Sequence, residues 1–119
     1  MMKKIYYLST CSTCSRIIKE LNLGNDFEYQ DIKSTKITEA QLEEMAKMSG
    51  SYESLFSRKA IKYRAMGLAE KTLTENDYKK LILEEYTFLK RPVIIVGNAI
   101  FVGNAKAVVD KANKVIGNK

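Results

Sequence analysis

Three segments near the N-terminus constrain the fold most. Lys4 to Leu8 (KIYYL) is a short β-rich run that ends in small polar residues. Ser12 to Leu23 carries Ile17, Ile18 and Leu21 at helical spacing, with Gly24-Asn25 as the expected stop. Phe27 to Ile32 (FEYQDI) alternates and predicts a second strand. Strand, helix and strand within about thirty residues form a βαβ unit, whose strands run parallel with a right-handed crossover.

The middle of the chain reads as helical. Thr38 to Gln41 (TEAQ) is a capping box ahead of Leu42, Met45 and Ala46. Tyr52 to Met66 predicts one or two short helices ending at Gly67. Thr74 starts a further helix, with Tyr78, Leu81, Ile82 and Leu89 at helical spacing.

The last part changes character. Val93 to Val96 and Ala99 to Val102 are apolar runs separated by Gly97-Asn98, a two-residue hairpin signal. Pro92 suits the start of a strand, where a missing N–H does little harm. From about Asn104 the apolar stripe Ala105, Val108, Val109, Ala112, Val115 and Ile116 predicts a final helix. The order βαβ, helices, ββα predicts an α/β domain with a small mixed sheet flanked by helices.

The chain has 119 residues, shows no repeat or Pro/Gly linker, and is read as a single domain over 1–119. Hydrophobic residues make up 45%, enough for a core that needs neither disulfide nor metal. No apolar run approaches the length of a membrane span or a signal segment, so a cytoplasmic location is expected. A net charge of +6 favours anionic partners such as oxyanions, glutathione, acidic protein surfaces or nucleic acid. The same charge also suits a plain solubilising surface. The absence of histidine excludes Cys-His and Ser-His catalysis and any imidazole ligand to a metal.

Both cysteines, Cys11 and Cys14, lie in LSTCSTCSR at the first strand-to-helix junction. In a reducing compartment a close pair is catalytic or metal-binding more often than a static brace. Closed zinc sites use four Cys or His ligands, and two Cys with no His do not make one, so no metal is expected. C-x-x-C at such a junction is a redox signature. A thiol there faces unpaired N–H groups and the positive end of the helix dipole, which favour the thiolate. Arg16, one turn in, either adds positive charge or points to solvent. Cys14 lies one turn along, so its sulfur can face that of Cys11. Cys11 is therefore assigned as nucleophile and Cys14 as resolving thiol.

These motifs, with LFSRKAIKYRAMGL (Leu55 to Leu68) and the run from LTENDYKKL to RPVIIVGNAIFVGNA, resemble the arsenate reductase family of thioredoxin-like proteins. That family includes the Spx-type transcription regulators. The resemblance implies a thioredoxin-like four-stranded mixed sheet with a helical insertion at about 38–89. It implies that Cys11 is the catalytic cysteine. It also implies that Arg91-Pro92 is the family's Arg-Pro, with a cis bond facing Cys11, and that Phe101 to Gly103 ends the last strand.

The chain departs from the arsenate reductase pattern in three places. Leu8-Ser9-Thr10 replaces the family's His-Asn-Pro. Of the three arginines that the resemblance implies around an oxyanion, Arg91 is present and Gly103 stands at the third. Ser57 stands opposite the second, and Arg58 supplies it only with a one-residue slip. The basic run Arg58, Lys59, Lys62 and Arg64 is either anion-facing or a solvated helix surface.

The expected function is that of an arsenate reductase-like thiol oxidoreductase. Its substrate would be an oxyanion or a disulfide, with Cys11, Cys14 and Arg91 as catalytic residues and Arg58, Arg16 and Pro92 around the substrate. No bound cofactor is expected. Glutathione would serve as co-substrate, and glutaredoxin or thioredoxin as partner. The alternative is a redox-sensing regulator of the Spx type that binds RNA polymerase. Neither membrane nor direct nucleic-acid binding is expected, since no base-stacking motif is present.

Overall fold

The structure is a computed structural model, and it describes residues 2–117. In chain order its elements are β1 (Lys3–Tyr7), α1 (Ser12–Glu20), β2 (Glu28–Asp31), α2 (Glu39–Ser49), α3 (Ile61–Ala65), α4 (Glu75–Glu84), β3 (Val93–Val96), β4 (Ala99–Val102) and α5 (Lys106–Ile116). Single 3-10 turns cover Glu53–Leu55, Leu68–Glu70 and Tyr86–Phe88. The chain divides into two compact units, residues 1–36 with 91–119, and residues 37–90.

The first unit is built on one sheet of strand order β2-β1-β3-β4. β1 runs parallel to β2, as the βαβ pattern requires, and antiparallel to β3, which pairs antiparallel with β4. Ile5 stands opposite Tyr29 on one side and Ile94 on the other, so β1 and β3 form the centre. Ile5, Ile94 and Val96 pack with Ile17 and Leu21 of α1, Val109 and Ala112 of α5, and Phe27. Each such aliphatic side chain contributes about 1.5–3 kcal/mol relative to an exposed one. On the opposite strand face Tyr6, Val93 and Ile95 are also buried. Lys4 shares that face and bonds the Glu28 carboxylate at 2.5 Å.

The β3–β4 hairpin turns at Gly97-Asn98, as its sequence predicts, with Gly97 at φ 60. A positive φ at the first turn position is the type II′ geometry that glycine supplies. The sheet with its flanking helices is the thioredoxin-like α/β arrangement.

Three expectations are corrected within this unit. α1 stops at Glu20, not Leu23, because Leu21 caps it and Asn22 takes a left-handed φ of 52. Asparagine tolerates that region, so it ends the helix before Gly24-Asn25 is reached. α5 begins at Lys106 with Ala105 as its cap, not at Asn104. Of its apolar stripe, Val109 and Ala112 are buried, whereas Val115 is 50% exposed.

The second unit consists of short helices fixed by their ends. Thr38 and Gln41 form the predicted capping box of α2, and Thr74 with Asp77 forms a second at α4. Gly50, at φ 107, ends α2. Phe56 is fully buried, stacked on Phe88 at 5.0 Å and tilted against Tyr78 at 4.9 Å. Leu89 does not continue α4. Glu85 leaves helical geometry at φ −139, and its carboxylate caps the Tyr86–Phe88 turn through the N–H and hydroxyl of Thr87. Leu89 is instead buried beyond that turn and bridges Phe56 as an isolated antiparallel pair.

Candidate functional site

The redox motif sits where β1 gives way to α1. Leu8 to Cys11 form a tight turn closed by the Cys11 N–H donating to the Leu8 carbonyl at 2.9 Å. Cys11 is the N-cap residue, with extended backbone (φ −94, ψ 113), and its carbonyl accepts the first helical bond from the Ser15 N–H at 3.2 Å. The Cys11 thiol thus stands outside the helix but at its positive end. Cys14, in the first turn of α1, is fully buried, whereas Cys11 is partly exposed. The two are free thiols.

Their environments push the two thiols in opposite directions. Burial raises Cys11, but the backbone N–H of Cys14, the Cys14 thiol, the backbone N–H of Thr13 and the Arg91 guanidinium together bring it below its ordinary value. Cys14 is pushed up to about 11, first by burial, then by the charge and hydrogen bond of Cys11. A backbone bond from Leu8 and the charge of Arg91 oppose that rise in part. Of the two, Cys11 is thus the thiol whose surroundings favour the negative charge, and Cys14 the one that keeps its proton. Two titratable groups whose surroundings drive them apart are a recurring sign of a reactive site.

The structure therefore brings together Cys11, Cys14 and Arg91. The Arg91-Pro92 bond is cis, and Pro92 is buried, with its carbonyl accepting the Gly103 N–H at 2.9 Å. Gly103 has φ 91, a backbone state that resists replacement by a residue with a side chain. Arg16 turns outward, its side chain 64% exposed and 3.8 Å from Glu20. Arg58 belongs to the second unit, where its Nη2 bonds Glu53 at 2.8 Å and the Tyr78 hydroxyl at 3.0 Å. Lys62, in the same basic run, pairs with Glu85 at 2.6 Å. Among the described residues no three His, Cys, Asp or Glu side chains are grouped to hold a metal, and no helix is long and apolar enough to cross a membrane.

Two residues at this turn were not singled out by sequence. Ser9 donates its hydroxyl to Asp31 at 2.5 Å, and the Ser9 N–H approaches the other carboxylate oxygen at 3.4 Å. Asp31 ends β2 opposite Tyr7. No sequence signal predicts the contact, because it depends on the β1–β2 register.

The ArsC family sequence pattern matches residues 6–112. No curated protein sequence matches the chain. Among solved structures, a protein called YffB (PA3664) is 21% identical, with 98% of this chain and 100% of that one covered and a TM-score of 0.79. The arsenate reductase of Vibrio cholerae is 18% identical over 93% of this chain and 97% of its own, with a TM-score of 0.73. SACOL0876 of Staphylococcus aureus COL is 24% identical over 92% and 97%, with a TM-score of 0.71. At these identities the structures speak for the fold, while the family follows from the match over most of the chain. The thioredoxin-like sheet, with its cysteine pair at the start of α1, and the matched residues 6–112 agree: the chain belongs to the ArsC family.

Proposed function

We propose that this thiol oxidoreductase-family protein reduces an oxidised substrate, arsenate or a disulfide, through a covalent adduct on Cys11. The contrast between the two thiols carries the reading. One is partly exposed and shifted toward the thiolate, and the other is buried, shifted toward the thiol and hydrogen-bonded to it.

With a disulfide, the Cys11 thiolate attacks one sulfur. A mixed disulfide forms and the other half leaves as thiolate. Cys14 then loses its proton and attacks the Cys11 sulfur, which releases the second half and leaves a Cys11–Cys14 disulfide. With arsenate, Cys11 displaces hydroxide from As(V). A second thiol, Cys14 or glutathione, attacks the Cys11 sulfur, and two electrons pass to arsenic as As(III) departs. In either case an external thiol of the glutathione, glutaredoxin or thioredoxin class restores the reduced protein. Arg91 offsets negative charge at the sulfurs, a role suited to a delocalised guanidinium.

The order of events follows from the coupling. While Cys11 is a thiolate, its charge holds the proton on Cys14. Once Cys11 is bonded to substrate that charge is gone, and Cys14 is easier to ionise. The resolving thiol is thus released by the first step. Cys11→Ser is expected to abolish turnover of arsenate and of a small disulfide alike. Cys14→Ser should form the first adduct and stall with disulfide, visible as a mass increase on Cys11 in intact protein. Full turnover in Cys11→Ser would reject the proposal.

The same pair, closed by an oxidant with no bound substrate, also suits a sensor of the Spx type. Recovery of purified RNA polymerase by the oxidised protein but not the reduced one, with no turnover of either substrate, would favour that reading.

A further inference from the structure

We propose that Ser9 and Asp31 form a clasp that positions the Cys11 turn, which makes both of them positioning residues for the thiol chemistry. The inference rests on the reading of Cys11 as nucleophile.

Cys11 owes its setting to where the turn Leu8–Cys11 places its sulfur relative to the Thr13 and Cys14 N–H groups and Arg91. Below the turn, β1 is held to β2 as far as the pair Tyr7–Asp31, and the Ile32 N–H donates to the Tyr7 carbonyl at 2.9 Å. Beyond Tyr7 the ladder ends, and the Asp31 carboxylate carries the connection further. One oxygen accepts the Ser9 hydroxyl at 2.5 Å. The other approaches the Ser9 N–H at 3.4 Å and the Lys33 N–H at 3.2 Å. The Asp31 carbonyl accepts the Ser34 hydroxyl at 3.3 Å, which fixes the β2 end from its far side. Asp31 therefore joins the loop after β2 to the loop that presents Cys11, two residues before the sulfur. These bonds lie at the surface, where water competes, so they contribute little to global stability. Their effect is to limit the turn to one placement.

Asp31 also carries a negative charge on the Cys11 side of the sheet. Acting as a charge alone it would oppose the Cys11 thiolate, and its removal would make Cys11 more acidic. Acting as a clasp it supports the thiolate, and its removal has the opposite sign.

The test follows iodoacetamide alkylation of the intact reduced protein from about pH 5 to 10, with the adduct located on Cys11 by peptide mass spectrometry. In Ser9→Ala, which keeps the Asp31 charge, Cys11 alkylation near about pH 6 should slow by about three- to tenfold, with parent rates at alkaline pH. Asp31→Ala should shift the profile in the same direction and further, since Ser9 and Lys33 both lose their acceptor. Ser9→Thr, which keeps a hydroxyl, should restore the parent profile. Asp26→Ala, which breaks the Lys3 pair in the same unit, should leave it unchanged. Parent-like profiles in Ser9→Ala and Asp31→Ala, or a more acidic Cys11 in Asp31→Ala, would overturn the clasp while leaving Cys11 as nucleophile. A parent Cys11 that titrates as an ordinary free thiol would sink the nucleophile reading and the clasp with it.

Discussion

The two units of this chain are held by different physics. Residues 1–36 and 91–119 are joined by strand pairing between distant segments and by one aliphatic cluster on a sheet face. Residues 37–90 have no sheet, and bury Leu42, Met45, Leu55, Ile82 and Leu89 with the rings around Phe56 between short helices whose ends are set by caps and ion pairs. Strand register fixes the end of a strand relative to its neighbours. A reactive thiol needs such fixed surroundings, and the cysteine pair lies in the sheet-built unit. Caps and ion pairs set where helices begin and end, and they tolerate more change.

Substitutions can sharpen that contrast. The largest effect is expected from Cys11→Ser, which should lower turnover on the order of a thousandfold or more while leaving thermal unfolding near that of the parent. Phe56→Ala should do the reverse. Truncating a fully buried ring costs about 3–5 kcal/mol, measurable by denaturant unfolding, with the Cys11 alkylation rate of the folded fraction retained. If Phe56→Ala instead removed thiol reactivity from folded protein, the two units would not be separable in function.

The alkaline limb of stability tests the site from another direction. Cys14 titrates higher in the folded chain, at about 11, than a free thiol at about 8.5. A raised folded value means that the unfolded chain releases its proton first. Stability is therefore complete below the unfolded value and declines as pH rises through that window to the folded one. Cys14→Ala should flatten this decline in a urea titration repeated across pH.

Smaller again, Thr38→Ala removes a cap worth about 1 kcal/mol and should lower the unfolding midpoint with no change in thiol chemistry. The smallest effect is expected from Lys79→Gln, which removes the pairs to Glu39 and Glu43 at 2.7 and 3.6 Å. Its loss should fade as salt is added, because exposed pairs are screened.

Much of the first unit was legible because its signals are local and apolar. The Gly97-Asn98 hairpin and the C-x-x-C junction each occupy a few adjacent residues, and each element of the βαβ order has its own short run. The capping box at Thr38 and the helix start at Thr74 were legible for the same reason. The end of α1 was not, since Asn22 stops the helix by backbone conformation rather than by a glycine. Leu89 fits the helical spacing of α4 by arithmetic, yet the Glu85 carboxylate breaks the helix first. Arg58 and Arg16 could be named as cations, but their partners Glu53, Tyr78 and Glu20 emerge only from the folded chain. Ser9 and Asp31 lie on separate segments, and only the β1–β2 register brings them together.

The central place of β1 also has a consequence for synthesis. Its partner β2 leaves the ribosome soon after it, but Ile94 and Val93, which lie against Ile5 and Tyr6, are made far later. A nascent chain that has reached residue 90 already carries both sulfurs, and still lacks the guanidinium of Arg91 and the other half of the sheet. Domains complete their long-range pairings only when the last partner is available. The charge of Arg91 and the β3–β4 half of the sheet therefore reach the thiol only after most of the polypeptide has been translated.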